Sequence, residues 1–179
     1  MNDLYGRLLH DGLVQFGTFN GAPYLLNTGL LPSYPAALAL LAERAAPLIG
    51  QAAPVDRLVC TASAWPIGMA LSLRLRLPLV YSLGTDAAGV HDLIGAYDMG
   101  HPACLLVNLW DGDAAIRELI DKARRVGLMI DSVVALFGWA ERPLDGVAVH
   151  VLVDLPQMAR ALADGGEIPP ELRTVFDEV

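Results

Sequence analysis

Hydrophobic positions along the chain form short apolar runs that alternate with stretches of helical periodicity. The apolar runs at 57–60, 79–82, 104–107, 130–137 and 147–153 predict buried strands. Helical spacing and proline positions predict helices at 4–13, 33–49, 66–75, 113–126 and 154–163, with a final short helix from Pro169. Strands separated by helices require crossover connections, which favour parallel pairing. The pattern therefore predicts an α/β fold with a largely parallel sheet and helices on both faces.

Three segments are less regular than this alternation. Residues 17–21 contain two glycines and predict a turn, and residues 23–27 predict a short strand after it. Ser33 is expected to cap the helix whose first turn contains Pro35. Residues 84–101 predict no regular element, and a loop of this length in a compact domain is commonly functional or mobile. It includes His91, a candidate ligand contact.

Length and composition fit a single domain that spans residues 1–179, and 54% hydrophobic residues exclude a disordered chain. No apolar stretch approaches the roughly 20 residues needed to cross a bilayer, so we expect no membrane association. The first residues lack the pattern of a signal peptide, which makes a cytoplasmic location the default expectation. Cys60 and Cys104 lie in apolar runs and are expected to be buried free thiols.

The formal net charge is −8, and the basic residues are eleven arginines and one lysine, Lys122. The arginine pairs at 74/76 and 124/125 are too small and too close to acidic residues to form a nucleic-acid patch. We therefore expect no binding to nucleic acid. The same shortage of cations weighs against a polyphosphate ligand, which needs positive side chains or aimed backbone amides.

Open parallel sheets bind ligands beyond the carboxyl ends of their strands, so two loops are the candidate binding elements. The first consists of Thr61, Ala62, Ser63 and Ala64, and its amides either receive an anion or only form a tight strand-to-helix turn. The second contains Asn108, Asp111, Gly112, Asp113, Ala114 and Ala115. Its carboxylates are suited to sugar hydroxyls or a hydrated Mg²⁺, unless Asp113 only caps the following helix.

No complete metal, nucleotide or catalytic motif is present in the sequence. The four histidines have no metal-ligand spacing, and Ser63 lies between alanines rather than in a G-x-S-x-G nucleophile elbow. We therefore assign no catalytic residue and no metal ligand.

Segments along nearly the whole chain nevertheless resemble the type I phosphoribosyltransferases, and the orotate phosphoribosyltransferases in particular. The resemblance is carried by residues 12–19 (GLVQFGTF), 23–24, 30–35 (LLPSYP), 66–70 (PIGMA), 77–81 (LPLVY), 105–107 and 116–118. It implies a Rossmann-like fold, with residues 1–35 and 147–179 forming a hood beside the sheet. It also implies transfer of ribose 5-phosphate from phosphoribosyl pyrophosphate onto orotate with Mg²⁺, and a dimeric assembly.

The resemblance fails at the positions that carry charge in the family. The family's phosphate cradle, V-D-D-V-x-T-T-G-G-S, corresponds here to residues 107–115, which lack both the acid pair and the Thr-Thr-Gly-Gly run. Trp110 is expected to fill space that small phosphate-facing residues leave open. The family's Arg-Lys pair corresponds to Ser82 and Leu83, and residues 84–101 contain no Lys or Arg. Lys122 is expected to face solvent.

The family's orotate-contacting run is also altered. Trp139 stands where the family has arginine, and Arg142 is out of register.

These departures favour a catalytically degenerate, orotate phosphoribosyltransferase-like protein. Its role would be regulatory or structural, and it would bind a small nucleotide-related ligand, a less charged ligand or a protein partner. The alternative is a divergent active enzyme, in which Asp111 and Asp113 replace the acid pair, Mg²⁺ is used, and a second subunit supplies arginines. A third hypothesis is a structural subunit, a homodimer or a heteromer with an active paralogue. In that case Trp65, Trp110 and Trp139 fill the vacated site, anchor an interface, or simply pack in the core.

Overall fold

The computed structural model describes residues 2–51, 54–84, 92–112, 114–139, 144, 146–174 and 176. Three residues discussed above, His91, Asp113 and Arg142, lie outside the described residues. The helices are α1 (Asn2–His10), α2 (Pro35–Ala45), α3 (Trp65–Leu75), α4 (Ala114–Arg125) and α5 (Leu155–Asp164). The strands are β1 (Val14–Phe19), β2 (Ala22–Leu26), β3 (Arg57–Cys60), β4 (Leu79–Ser82), β5 (Leu93–Gly95), β6 (His101–Trp110), β7 (Leu128–Gly138) and β8 (Ala148–Asp154).

Six of the strands form one sheet in the order β5-β4-β3-β6-β7-β8. All neighbours in it are parallel except β4 and β5, so the predicted parallel sheet is confirmed. The chain moves outward from β3 to β4 and then returns to place β6 on the other side of β3. This reversal makes the carboxyl ends of β3 and β6 the topological switch point, where open α/β sheets bind ligands.

Two hydrophobic cores cover the two faces of the sheet, which confirms helices on both faces. On one face, α1, α2, α3 and α5 bury a core that includes Leu8, Leu41, Leu71 and Met158. Among the described helices, only α4 covers the other face, where it buries side chains such as Ile120 against the sheet. Within the described residues, no helix combines the length and the apolar character needed to span a membrane.

The hairpin before the sheet corrects two of the expectations from sequence. Residues 17–21 are not all turn, because β1 runs through Gly17 to Phe19 and pairs with β2; the turn is confined to Asn20 and Gly21, which both have positive φ. Ser33 does not cap α2. It ends a 3₁₀ helix that begins at Thr28, and the cap position is Tyr34, without a side-chain hydrogen bond.

Two strand boundaries also differ from the prediction. The segment 84–101 contains β5, which pairs with β4 in the antiparallel direction. Strand β6 is longer than residues 104–107, because it pairs with β7 as far as Trp110 and Gly138. Asn108 therefore belongs to a strand rather than a loop. The start of α5 was predicted correctly, because the Asp154 side chain accepts a hydrogen bond from the Gln157 amide at 2.8 Å.

The ends of β6 and β7 approach each other so closely that no side chain fits between them. A Cβ atom at Gly138 would lie 2.5 Å from the Trp110 carbonyl oxygen and 3.2 Å from the Trp110 nitrogen. The obstacle is backbone, which cannot rotate away as the end of a flexible side chain would. The glycine thus allows β6 to pair with β7 as far as Trp110.

Replacing Gly138 by alanine should lower the free energy of unfolding by about 2 kcal/mol or more, because one of two paired strands must shift to remove the overlap. Urea denaturation followed by circular dichroism measures the change. Gly29→Ala is the matched control, since a Cβ there meets no described atom within 4 Å. An equal effect of both substitutions would contradict the close approach.

Both cysteines lie in the core as free thiols, as predicted. Cys60 on β3 and Cys104 on β6 are fully buried below the helices of the larger core. Burial raises the pKa of Cys60 to about 12 and that of Cys104 to about 11. The thiolate, which is the reactive form, is therefore suppressed in the native protein.

Neither thiol should react with an aromatic disulfide reagent at pH 8 in the native protein, and both should react once urea unfolds it. Absorbance of the released thiolate counts the modified groups. Since the raised pKa values favour the protonated thiols of the folded state, the contribution of these groups to stability should decline as the pH rises above 9. Rapid labelling of either cysteine at pH 8 without unfolding would contradict the buried placement.

Candidate functional site

A cleft lies at the switch point, beyond the carboxyl ends of β3 and β6. It consists of two adjoining hollows of about 400 and 430 Å³, which share Thr61, Ser63 and Ala115. Both hollows expose more apolar than polar surface. The first extends toward the β1–β2 hairpin and has no charged side chain in its lining, so we call it the apolar hollow; its other lining residues are Leu26, Thr28, Val107, Asn108, Leu109 and Ile116. The second extends toward β4 and holds the charged side chains, so we call it the polar hollow; it adds Ala62, Ser82, Gly84, Asp92, Glu118, Leu119 and Lys122. Apolar surface next to charged side chains makes the cleft amphipathic.

Asn108 connects the walls of the cleft. Its Nδ2 donates to the Ser63 carbonyl oxygen at 2.7 Å and to the Thr28 hydroxyl at 3.1 Å. A carbonyl oxygen only accepts, so the amide nitrogen must face Ser63 and the side-chain orientation is fixed. Asn108 is only 6% exposed, and its Oδ1 is buried with no hydrogen-bond partner among the described residues. One side chain thus joins the loop after β3 to the segment after the hairpin.

The loop after β3 forms a short 3₁₀ turn over Ala62–Ala64 that leads directly into α3. Two of the amides that were considered for an anion are engaged within the protein, because Thr61 donates to the Leu106 carbonyl at 3.2 Å and Ala64 donates to the Thr61 carbonyl at 3.0 Å. The hydroxyls of Thr61 and Ser63 lie 3.3 Å apart and both residues line the cleft. This arrangement favours the tight-turn interpretation and presents hydroxyls to a ligand.

The polar hollow contains one cation among its described lining residues, and that cation is already paired. Lys122 Nζ lies 3.3 Å from Glu118 Oε1, one helical turn earlier on α4. The Lys122 side chain is 15% exposed, so the expectation that it faces solvent was wrong. The long aliphatic stem of lysine packs along the helix and brings the amine to the cleft.

Ser82 and Asp92 form the wall opposite Lys122. Both are buried, and the Ser82 hydroxyl donates to Asp92 Oδ2 at 2.7 Å while it accepts from the Gly84 amide at 3.1 Å. Each group is therefore engaged in holding the end of β4 against the segment that enters β5. The wall offers polar atoms to a ligand but no positive charge.

The tryptophans leave the cleft open. Trp110 is fully buried in the core below α4, so it fills space beneath the site and does not plug it. Trp139 packs edge-on against Tyr24 at 5.7 Å and Phe176 at 6.0 Å, beside the hairpin. Trp65 is about half exposed and stacks on Tyr81.

The structure brings together part of the predicted site. Thr61, Ala62, Ser63, Asn108 and Ala115 line the cleft. Of the other predicted residues, Ala64 is buried in the core, Ala114 is exposed at the start of α4, Asp111 and Gly112 are half-buried in the preceding turn, and Asp113 lies outside the described residues.

Sequence reasoning missed Thr28, Ser82, Asp92, Glu118 and Lys122. The position of Ser82 at the carboxyl end of a predicted strand and the four-residue spacing of Glu118 and Lys122 were usable signals.

Comparison with known proteins gave matches only among solved structures. No protein-family model matches the sequence, and no curated protein matches it. The UMP synthase of Leishmania donovani is 24% identical with a TM-score of 0.84, and the match covers 97% of this chain. This chain spans only 40% of the length of that protein.

Two further structures extend the comparison. The orotate phosphoribosyltransferase of Francisella tularensis is 19% identical over 96% of this chain and 94% of its own, with a TM-score of 0.69. The adenine phosphoribosyltransferase of Thermoanaerobacter pseudethanolicus is 17% identical over 74% of this chain and 88% of its own, with a TM-score of 0.58. The resemblance inferred from the sequence is thus confirmed at the level of architecture: this chain has the type I phosphoribosyltransferase fold.

Proposed function

We propose that this protein binds a small, weakly charged, nucleotide-related ligand in the switch-point cleft and does not transfer phosphoribosyl groups. Its role would be regulatory or structural. The observation that carries the proposal is the charge of the cleft: its described lining contains the carboxylates of Asp92 and Glu118 and the single amine of Lys122. A phosphoribosyl pyrophosphate donor is a polyanion and needs cations or free amides at the site that holds it.

Several backbone amides at or near the cleft are already engaged within the protein. The amides of Ala64 and Trp65 donate within the 3₁₀ turn, and the Gly84 amide donates to Ser82. A donor that is already engaged within the protein must break a hydrogen bond before it can bind a phosphate oxygen. The charged side chains in the described part of the cleft are two carboxylates and one paired amine, which suit the hydroxyls of a sugar better than a phosphate.

Asn108, on the other wall of the cleft, also argues against a site for a phosphoribosyl pyrophosphate donor. A carboxylate at this position would face the Ser63 carbonyl oxygen, which cannot donate, and would be both desolvated and repelled. The amide that stands there makes two hydrogen bonds within the protein instead. This position is thus built to hold the cleft together.

Mg²⁺ does not fit the described carboxylates without a ligand that brings its own phosphates. Asp92 accepts from Ser82 and Glu118 pairs with Lys122. No group of three or more potential metal-ligating side chains occurs among the described residues. Since Mg²⁺ is usually bound through one or two carboxylates together with substrate phosphates, its use belongs to the alternative of an active enzyme.

The apolar hollow is suited to the less polar part of the proposed ligand. Leu26, Val107 and Leu109 provide a surface for an apolar or planar group next to the hydroxyls of Thr61 and Ser63. A nucleoside has this combination of a flat base and a hydroxylated sugar. The amphipathic cleft therefore favours nucleosides over sugar phosphates.

Calorimetric titration at low salt should show that the nucleoside orotidine binds at least about tenfold more tightly than phosphoribosyl pyrophosphate with Mg²⁺, because the cleft lacks net positive charge. Orotidine monophosphate should fall between the two ligands. Micromolar binding of the donor, followed by release of pyrophosphate when orotate is added, would support the divergent active enzyme instead. If none of the three ligands gives a heat of binding, the result would contradict small-molecule binding and favour a purely structural role.

Two neighbouring alanines provide a matched control for the location. Ala115 lines both hollows and is exposed, so Ala115→Phe should block the cleft and abolish the heat of nucleoside binding without unfolding the protein. Ala114 is also exposed on the first turn of α4, and Ala114→Phe should leave binding unchanged. Equal effects of the two substitutions would place the ligand elsewhere.

Glu118→Gln should raise the affinity for inorganic pyrophosphate about three- to tenfold, because it removes the carboxylate that pairs with Lys122 while it preserves the shape of the side chain. Lys122→Met should lower that affinity. Competition with a fluorescent anion measures both changes. If Glu118→Gln has no effect, the pairing of Lys122 does not limit anion binding, and the argument from cleft charge fails.

A further inference from the structure

Another hollow lies away from the cleft, at the far ends of α2 and α3. It has a volume of about 590 Å³ and shares no described lining residue with the cleft. This volume falls in the range of small-molecule sites, about 300–1,000 Å³. The described lining comes from the ends of the two helices, the 3₁₀ turn after α2 and the middle of β8; its residues are Glu43, Arg44, Pro47, Leu48, Arg74, Val151 and Leu152. We call it the arginine hollow.

The topology of the sheet brings two guanidinium groups to this hollow. Helix α2 leads into β3 and α3 leads into β4, so both helices end at the edge where these parallel strands begin. The two helices also pack against each other. Arg44 lies in the last turn of α2 and Arg74 in the last turn of α3. Residues 30 positions apart in sequence thus line one hollow.

The two arginines of the hollow are not neutralised by the protein, although the chain is acidic. Elsewhere basic side chains are paired with acids, as when Arg7 Nε lies 2.6 Å from Asp11 Oδ2. Within the part of the chain that the structure describes, neither Arg44 nor Arg74 forms a hydrogen bond or an ion pair through its side chain. Glu43 does not pair with Arg44, because neighbouring residues on a helix do not face each other.

The ends of the helices do not occupy these guanidinium groups either. The last carbonyls of a helix can accept hydrogen bonds from basic side chains. At the end of α2, the Ala46 amide donates to the Ala42 carbonyl instead. At the end of α3, the amides of Arg76 and Leu77 both donate to the Ser72 carbonyl. Backbone groups therefore close both helices, and the donors of the two arginines stay available to a ligand.

The rest of the lining is mainly apolar. Pro47, Leu48, Val151 and Leu152 surround the charged side chains, and the Leu152 side chain is 8% exposed as part of the larger core. A guanidinium group is a planar fork of N–H donors that matches the two oxygens of a carboxylate. The hollow therefore combines carboxylate-binding groups with a surface for an apolar body.

We propose that the arginine hollow binds a small organic monoanion, a carboxylate on an apolar body. Its described charged side chains are two arginines and one glutamate, a formal sum of 2 − 1 = +1 that matches a single negative charge. The second charge of a phosphate ester would be repelled by Glu43. The proposal does not depend on nucleoside binding in the cleft, since the two sites have separate linings.

Calorimetric titration of the full chain with three ligands that share one alkyl chain tests the proposal. Octanoate should bind more tightly than octanol, which has no charge for the arginines, and more tightly than octyl phosphate, whose second charge meets Glu43. Equal binding of octanol would mean that apolar contact alone holds the chain and would overturn the proposal. Tighter binding of octyl phosphate, or no heat from octanoate at millimolar concentration, would also overturn it.

Arg44→Gln and Arg74→Gln should each weaken octanoate binding about two- to fivefold, the range expected for one solvent-exposed ion pair. Arg125→Gln is the matched control, because Arg125 is also exposed in the last turn of a helix, α4, and loses the same charge on the other face of the sheet. It should leave octanoate binding unchanged. Glu43→Gln should strengthen the binding of octyl phosphate more than that of octanoate.

The four substituted side chains are exposed, so the fold should persist, and circular dichroism checks this. An equal loss of affinity in all three arginine variants would show a general effect of net charge and would overturn the proposal. Ala115→Phe, which blocks the cleft, should leave octanoate binding unchanged. Loss of octanoate binding in that variant would place the carboxylate in the cleft and would also overturn the proposal.

Discussion

The two hydrogen bonds of the Asn108 side chain are the constraint on which the geometry of the cleft depends. They join the end of the central strand β6 to the carbonyl of Ser63 and to the hydroxyl of Thr28, residues that are 45 and 80 positions away along the chain. Both accepting atoms face an amide that has two protons to donate. Without the Asn108 side chain, the end of β6 would lose these hydrogen bonds to the loop after β3 and to the segment after the hairpin.

The same interaction belongs to a set of contacts that satisfy polar groups at the strand ends within the protein. The phosphoribosyltransferase architecture needs a parallel sheet with two apolar cores, and this chain supplies both from the continuous apolar runs of β3, β6 and β7. Charge at the strand ends contributes little to those cores. Asn108, the pairing of Lys122 with Glu118 and the bond from Ser82 to Asp92 each satisfy polar groups within the protein. The apolar residues that stabilise the fold are thus largely distinct from the polar residues at the strand ends.

The parts of the fold that follow from local pattern were predictable, and the parts set by tertiary contact were not. Strands β3 and β4 were predicted to the residue, because short buried parallel strands are unbroken apolar runs. Strand β1 was missed since Gly17 suggested a turn, although only Asn20 and Gly21 turn the chain. In the site, the loops at the ends of β3 and β6 were predictable from sheet topology. Thr28 was not, because it reaches the cleft only through the missed hairpin and a hydrogen bond across 80 residues.

One short segment connects the cleft to the exposed side of α3. Thr61 and Ser63 line the cleft, the 3₁₀ turn ends at Ala64, and Trp65 begins α3 at the next residue. The Ser63 carbonyl is held from inside by Asn108, while the Trp65 ring is held from outside by Tyr81. Because a 3₁₀ turn of three residues has few ways to move between two fixed ends, these contacts hold the hydroxyls of Thr61 and Ser63 in place at the cleft.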